Sequence, residues 1–196
     1  MRYVGSQRIE TERLILRKVE LSDAPIMFKN WQSDERVTKY LSWKPYPNVD
    51  YSYRIAENWI SMYNNLDFFL WLIVEKETNT PIGTIGVGRH EDDWSSAEVG
   101  YCSYCIGYDW WNNGYTTEAL KSVINYLLYK VGIPEVTCWC DRENRASAVV
   151  MQKSGMEFKC TKRDYFVRED YVCDMLVFSI KRKSLFEKIV NDWGIS

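Results

Sequence analysis

Trp111-Asn112-Asn113-Gly114-Tyr115-Thr116-Thr117-Glu118-Ala119 is the stretch on which the reading of this chain turns. A polar, glycine-bearing turn runs straight into a helical pattern, in which Ala119, Leu120, Val123, Ile124, Leu127 and Leu128 recur on one face. Asn and Gly accept left-handed backbone angles, and Gly lets a ligand approach the main chain. A loop that delivers successive N–H groups into a helix N-terminus favours an anion, through both the unpaired amides and the helix dipole. No Lys-Ser/Thr pair follows Gly114, which excludes a nucleoside-triphosphate P-loop. A pyrophosphate inside a larger cofactor fits better than a transferred phosphate. The competing reading of this segment alone is an ordinary turn capped by Asn.

Working outward, residues 12–19 alternate polar and apolar and predict a first strand. Ser22-Asp23 offers an N-cap for a helix starting near Ala24-Pro25, and a second helix is expected over residues 49–63. Residues 68–74 and 82–89 read as a hairpin about the turn at 77–81, and residues 96–102 as the next strand. The glycines of the hairpin run G-x-x-G-x-G with no helix after them, which excludes a dinucleotide fingerprint. Beyond the central helix, Gly132 is a stop, and a strand follows Pro134. Asp141-Arg142-Glu143-Asn144 caps a short helix over 145–153 that Gly155 closes. Strands near 157–165 and 171–180 and a last helix over 184–190 complete the order. The chain reads as one α+β domain over residues 1–196, with its core at about 9–180 and a helical tail at about 181–196. Its mixed, mainly antiparallel sheet has about seven strands, the fourth and fifth joined by a parallel crossover.

Bulk properties narrow the class. Net charge is -2, so no excess of Lys and Arg exists to displace counterions, and a nucleic-acid partner is not expected. No apolar run approaches the roughly 18 residues of a membrane span. Residues 1–8 lack the apolar stretch of a secretory leader, and a reduced, cytoplasmic protein is expected. Cys102-x-x-Cys105 and Cys138-x-Cys140 invite a metal reading, but the second pair is too tight for a structural zinc site. Buried free thiols and no metal are expected, with Cys138 and Cys140 on one face of a strand. Nine Trp and fourteen Tyr either fill the core or line a substrate groove, and Trp31, Tyr40, Trp43, Tyr46 and Tyr165 are the groove candidates.

Three ordered motifs carry a resemblance: Ala97-Glu98-Val99-Gly100-Tyr101, Trp111-x-x-Gly114-Tyr115-x-Thr117-Glu118-Ala119, and Asp141-x-x-Asn144-x-x-Ser147 with Lys153-x-Gly155-Met156. Together they resemble the GNAT superfamily of N-acetyltransferases. With Thr11-Glu12-Arg13-Leu14-Ile15-Leu16-Arg17 and Ile82-Gly83-Thr84-Ile85-Gly86 they are most similar to its ribosomal-protein N-terminal acetyltransferase (Rim-type) branch. The resemblance implies acetyl-CoA as donor, a primary amine as acceptor (a protein N-terminus or a small amine), and direct attack with both bound. It implies that Trp111, Asn112, Asn113, Gly114, Tyr115, Thr116 and Thr117 cradle the pyrophosphate. It also implies that the fourth and fifth strands splay to admit the pantetheine arm, that Tyr101 and Cys102 contact the cofactor, and that an N–H of the fourth strand near Tyr101 to Tyr104 stabilises the thioester oxyanion. Glu98 matches the family's acidic residue and is the candidate base, the alternative being an outward, salt-bridged Glu. Ser147 matches a position near the cofactor sulfur where it could protonate the thiolate, the alternative being a first-turn residue satisfying backbone groups. Asn144 could contact pantetheine, cap its helix, or both. Glu118 is expected to favour the helix N-terminus through the dipole. His90, the only histidine, lies off the motifs. The family usually has Gly where Asn112 stands and a small residue at Thr116, and its step from strand to loop is about three residues shorter than 101–107. The rival readings are a catalytically weak acyl-CoA-binding or regulatory module and a partner-binding domain. A homodimer is left open.

Overall fold

A computed structural model describes residues 4–88, 99–167 and 172–182. Its eight-stranded sheet has the order β1-β2-β3-β4-β5-β6-β8-β7. The strands are β1 (Ile9–Glu10), β2 (Leu14–Arg17), β3 (Phe69–Glu75), β4 (Thr80–Gly88), β5 (Val99–Ile106), β6 (Glu135–Asp141), β7 (Glu157–Val167) and β8 (Val172–Lys181). All neighbours are antiparallel except β5 and β6, the one parallel pair. The expected mixed α+β sheet is therefore present, with one strand more than the pattern suggested. The extra strand, β1, has only two residues, too few to carry a periodicity.

Helices pack on both faces. On one lie α1 (Ala24–Met27), which widens into a π-turn at Phe28–Gln32, then α2 (Glu35–Thr38) and α3 (Val49–Met62). Their core joins Val19, Met27, Trp31, Val37 and Ala56 to Leu72 and Val74 of β3. On the other lie α4 (Tyr115–Asn125), continued by a π-turn at Tyr126–Val131, and α5 (Arg145–Lys153). Leu120, Val123 and Leu127 there meet Leu16, Ile73, Ile85, Val136, Cys138 and Cys140. Covered on both faces, β3 loses the alternation of a half-exposed strand and reads as a continuous apolar run.

Local chemistry explains most boundaries. Gly132 and Gly155 end their helices at φ 88° and 85°, left-handed angles that glycine adopts at least cost. Pro81 lies inside β4 beside a register shift at Ile73/Val74, where a missing N–H is tolerated. The Ser22-Asp23 cap differs from expectation. The Asp23 carboxylate accepts from Arg17 at 2.7 and 2.8 Å and from the Glu20 N–H, which closes a 3-10 turn ahead of α1. The short α2 had no sequence signal beyond Asp34, whose side chain caps it through the Arg36 N–H. The expected tail helix at 184–190, His90 and Glu98 lie outside the described residues. Among the described residues no helix is long and apolar enough to cross a membrane.

Candidate active site

The sheet opens where β5 and β6 part. Their parallel pairing runs from Val99↔Glu135 to Cys102↔Cys138 and stops, although β5 continues to Ile106 and β6 to Asp141. Residues 103–106 and 139–141 thus diverge from one another, while β4 still holds β5 and β8 still holds β6. A cleft of about 700 Å³ occupies the opening. It is lined by five consecutive residues, Cys102 to Ile106, and successive strand side chains point to opposite faces. The cleft therefore reaches through the sheet. On one face it meets α4 and α5, and on the other Arg36, Val37, Tyr40 and Leu41.

The loop before α4 forms one wall. Asn112 and Gly114 both take left-handed angles, φ 62° and 78°, the conformation their residue types permit. The helical ladder begins with Glu118 N–H donating to the Gly114 carbonyl, and no side chain caps the helix. The first-turn amides are thus available at the cleft wall, the arrangement that suits an anion. Trp111, Asn112, Gly114, Thr116 and Thr117 line the cleft as expected. Asn113 and Tyr115 do not. The Asn113 side chain folds back on the Trp111 carbonyl, and the Tyr115 hydroxyl donates to Glu75. The longer step through 101–107 is absorbed by extension of β5 to Ile106 and by a 3-10 turn at Tyr108–Trp110 that delivers Trp111.

Glu118 does more than face a dipole. Its carboxylate accepts from Thr11 Oγ1 at 2.6 Å, from the Arg13 N–H at 2.8 Å and from the Arg13 guanidinium at 2.8 Å. Burial alone would raise its pKa, but these donors outweigh it and hold the carboxyl below the usual glutamate value. Arg13 also donates to the Asn113 carbonyl and lies 4.6 Å from the Tyr115 ring centroid.

The far wall comes from α5. Asn144 caps it through the Ser147 N–H at 3.2 Å, and both residues line the cleft. The Ser147 and Tyr104 hydroxyls are 2.8 Å apart and share a hydrogen bond, and the Tyr104 O–H also reaches the Ser147 carbonyl at 3.2 Å. Burial pushes the Tyr104 phenol well up, so it stays protonated and a donor. Burial likewise pushes the Cys140 thiol up to about 11, against a hydrogen bond from Ser147 that pulls it down. All six cysteines are free, and among the described residues no group of His, Cys, Asp and Glu could hold a metal.

Of the remaining expected residues, Cys102 lines the cleft, whereas Tyr101 does not and turns its ring edge to Trp139 at 5.5 Å. Trp31 is fully buried in the core, Tyr40 lines the cleft, and Trp43 and Tyr46 pack together at 5.1 Å. Sequence reasoning missed the side chains of Tyr104, Arg36, Trp139, Arg145 and Lys153, all at the cleft; Tyr104 entered it only as the end of the stretch expected to hold the oxyanion amide. For Tyr104 the alternation of β5 was the available signal, since it shares a face with Cys102. Nothing in the sequence brought α2 to the site.

The acetyltransferase (GNAT) domain family matches residues 13–157. An N-acetyltransferase of Bacillus licheniformis, p20, is 29% identical over 181 residues, covering 90% of this chain and 97% of its own. A GNAT-family acetyltransferase of Bacillus anthracis superposes with a TM-score of 0.79 at 19% identity, over 91% of this chain and 100% of that one. RimL, a ribosomal L7/L12 alpha-N-protein acetyltransferase solved with coenzyme A, gives 0.78 at 15% identity, over 89% and 98%. The chain belongs to the GNAT acetyltransferase family. It is an acetyl-CoA-dependent acetyltransferase, and its acceptor class is an amine.

Proposed function

We propose that this protein acetylates a primary amine, either a protein N-terminus or a small molecule, with both substrates held in the cleft at the β5/β6 opening. The observation that carries this reading is the passage through the sheet: α4 amides and Ser147 on one side, a separate aromatic and cationic wall on the other. A donor can enter from one face and an acceptor from the other, so orientation supplies much of the rate. Bound acetyl-CoA would supply a thioester that an amine can attack directly. Main-chain amides at Gly114 to Thr117 hold its pyrophosphate, and the edges of residues 103–106 and 139–141 that face the opening receive the peptide-like arm. Tyr101 and Cys102 end the paired stretch, which supports an oxyanion donor at or just after them. Ser147, held by Tyr104, protonates the leaving thiolate. Glu98 takes the proton of the attacking amine. The Rim-type likeness, with RimL among the structural neighbours, supports a protein N-terminus as one acceptor class.

Thiol release from acetyl-CoA, measured across small amines and N-terminal peptides, tests this reading. Turnover with at least one amine is expected, and Glu98→Gln is expected to lower kcat while coenzyme A affinity holds. A blank panel with coenzyme A still bound would replace the reading with a non-catalytic acyl-CoA module.

A further inference from the structure

We propose that Trp139 and Tyr165 form a cation-receiving box on the acceptor side of the cleft, filled in the resting protein by Lys162, and that the acceptor is an amine carrying a second positive charge, as in linear diamines. The proposal rests on the acetyltransferase reading above and narrows its acceptor.

The Lys162 Nζ lies 4.0 Å from the Trp139 ring centroid and 4.6 Å from that of Tyr165, and the two rings are 5.0 Å apart. One ammonium is thus shared between two ring faces, which attract it through the ring quadrupole. No carboxylate among the described residues forms an ion pair with Lys162. Among the described residues its departure would break no charge pair. Tyr101 packs against Trp139 in a T-shaped contact, with ring centroids 5.5 Å apart.

The box is built by an irregularity. Residues three apart on a regular strand point to opposite faces, so Lys162 and Tyr165 should not meet. The β7–β8 register shifts between Lys162 and Phe166, with Asp164 at φ 50° and its N–H on the Asp174 carboxylate at 3.1 Å. This bulge re-aims Tyr165 onto the face of Lys162, a use bulges commonly have beside active sites.

Position decides which substrate the box serves. Register carries Lys162 across to Met175, Met175 to Asp141, and Asp141 shares its face with Trp139. Cys138 and Cys140 turn the other way, into the core beneath α4 and α5. Trp139 therefore lines the cleft on the face opposite the pyrophosphate loop, with α2. An acceptor anchored there by one ammonium can present its other nitrogen to the thioester. That nitrogen forms the N–C bond as the C–S bond breaks, its proton passing to the base and the thiolate taking a proton from Ser147. Lys162 stands on an edge strand with a long flexible stem, so one rotamer change vacates the box for a substrate cation.

The test uses the full chain, acetyl-CoA, and α,ω-diamines against n-alkylamines of the same carbon number. At the best length a KM about tenfold lower is expected for the diamine, in line with a cation–π contact partly shielded from water. Lys162→Met should widen the diamine-to-monoamine KM ratio by about three- to tenfold, because the tethered competitor is gone. Trp139→Leu should abolish the ratio, and calorimetric titration of the diamine into the coenzyme A complex should lose affinity in parallel. Equal KM values for the two amine series would overturn the box, as would an unchanged ratio in Lys162→Met. An acetyl group found on Lys162 by mass spectrometry would also overturn it, making that lysine the acceptor. Turnover of monoamines or peptides without charge preference sinks only this proposal, whereas no turnover with any amine sinks the reading beneath it.

Discussion

The guanidinium of Arg13 holds the main-chain carbonyl of Asn113 at 2.9 Å, tying the turn before β2 to the loop before α4. Holding that carbonyl away from the cleft helps keep the following amides turned toward an anion. Arg13→Met should therefore raise the KM for acetyl-CoA about three- to tenfold, the range expected of a charged hydrogen bond discounted for a half-exposed partner. With acetyl-pantetheine, which lacks the pyrophosphate, the same substitution should change little. An equal loss with both donors would show that Arg13 acts on the fold rather than on the loop.

Glu118 gives this tie a pH dependence. Its folded-state pKa lies below the usual value of 4.5, so the stability it adds is present above that value and lost as pH falls through the folded one. The wild type should exceed Glu118→Gln by about 1–2 kcal/mol at neutral pH, since three donors meet one carboxylate at a partly exposed site. Urea unfolding across pH should show a constant gap above about pH 5 that closes in acid. A gap independent of pH would mean that the carboxylate's charge is not what the donors recognise.

Legibility in the sequence followed the range of the interaction. Asn112 and Gly114 announce left-handed turns by residue type alone, and Asn144 announces a cap two or three residues ahead of the amide it meets. The α4 stripe of Leu120, Val123 and Leu127 is likewise a local pattern, and it led to the correct sheet and crossover. The Arg13–Glu118 and Tyr104–Ser147 contacts join segments far apart in the chain, and no spacing rule reaches them. The bulge at Asp164 was hidden because Thr161-Lys162-Arg163-Asp164 is a plain polar run, with no glycine or proline to mark where the register shifts. The opening of the sheet came from the family likeness, since nothing in Cys102 or Cys138 signals that pairing stops there.

The opening also depends on how closely β4 approaches β5. A Cβ built on Gly83 would lie 2.2 Å from the Cys105 carbonyl oxygen and 2.9 Å from the Ile106 Cα, both backbone atoms that cannot swing aside. Gly83→Ala must push β5 toward the cleft or break the β4–β5 ladder. A loss of about 2–4 kcal/mol is expected, at the upper end of overpacking costs. Thermal unfolding should register it, together with weakened coenzyme A binding. Gly88→Ala, which meets nothing within 4 Å, is the control and should unfold near the wild-type temperature.

Tyr104 and Ser147 make the last prediction, because their shared hydrogen bond spans from β5 to α5 beside the opening. With Tyr104 kept protonated by burial, its O–H can donate to Ser147 Oγ and free the Ser147 proton for the leaving sulfur. Ser147→Ala should lower kcat about 10- to 100-fold with the KM for acetyl-CoA nearly unchanged, since a thiolate needs only modest help to leave. Tyr104→Phe keeps the ring and removes only the hydroxyl, so a smaller loss, about three- to tenfold in kcat, is expected. The double variant discriminates between explanations. If Tyr104 acts only through Ser147, Ser147→Ala/Tyr104→Phe should be no slower than Ser147→Ala alone. Multiplied losses would instead mean that the phenol contacts the reacting groups itself.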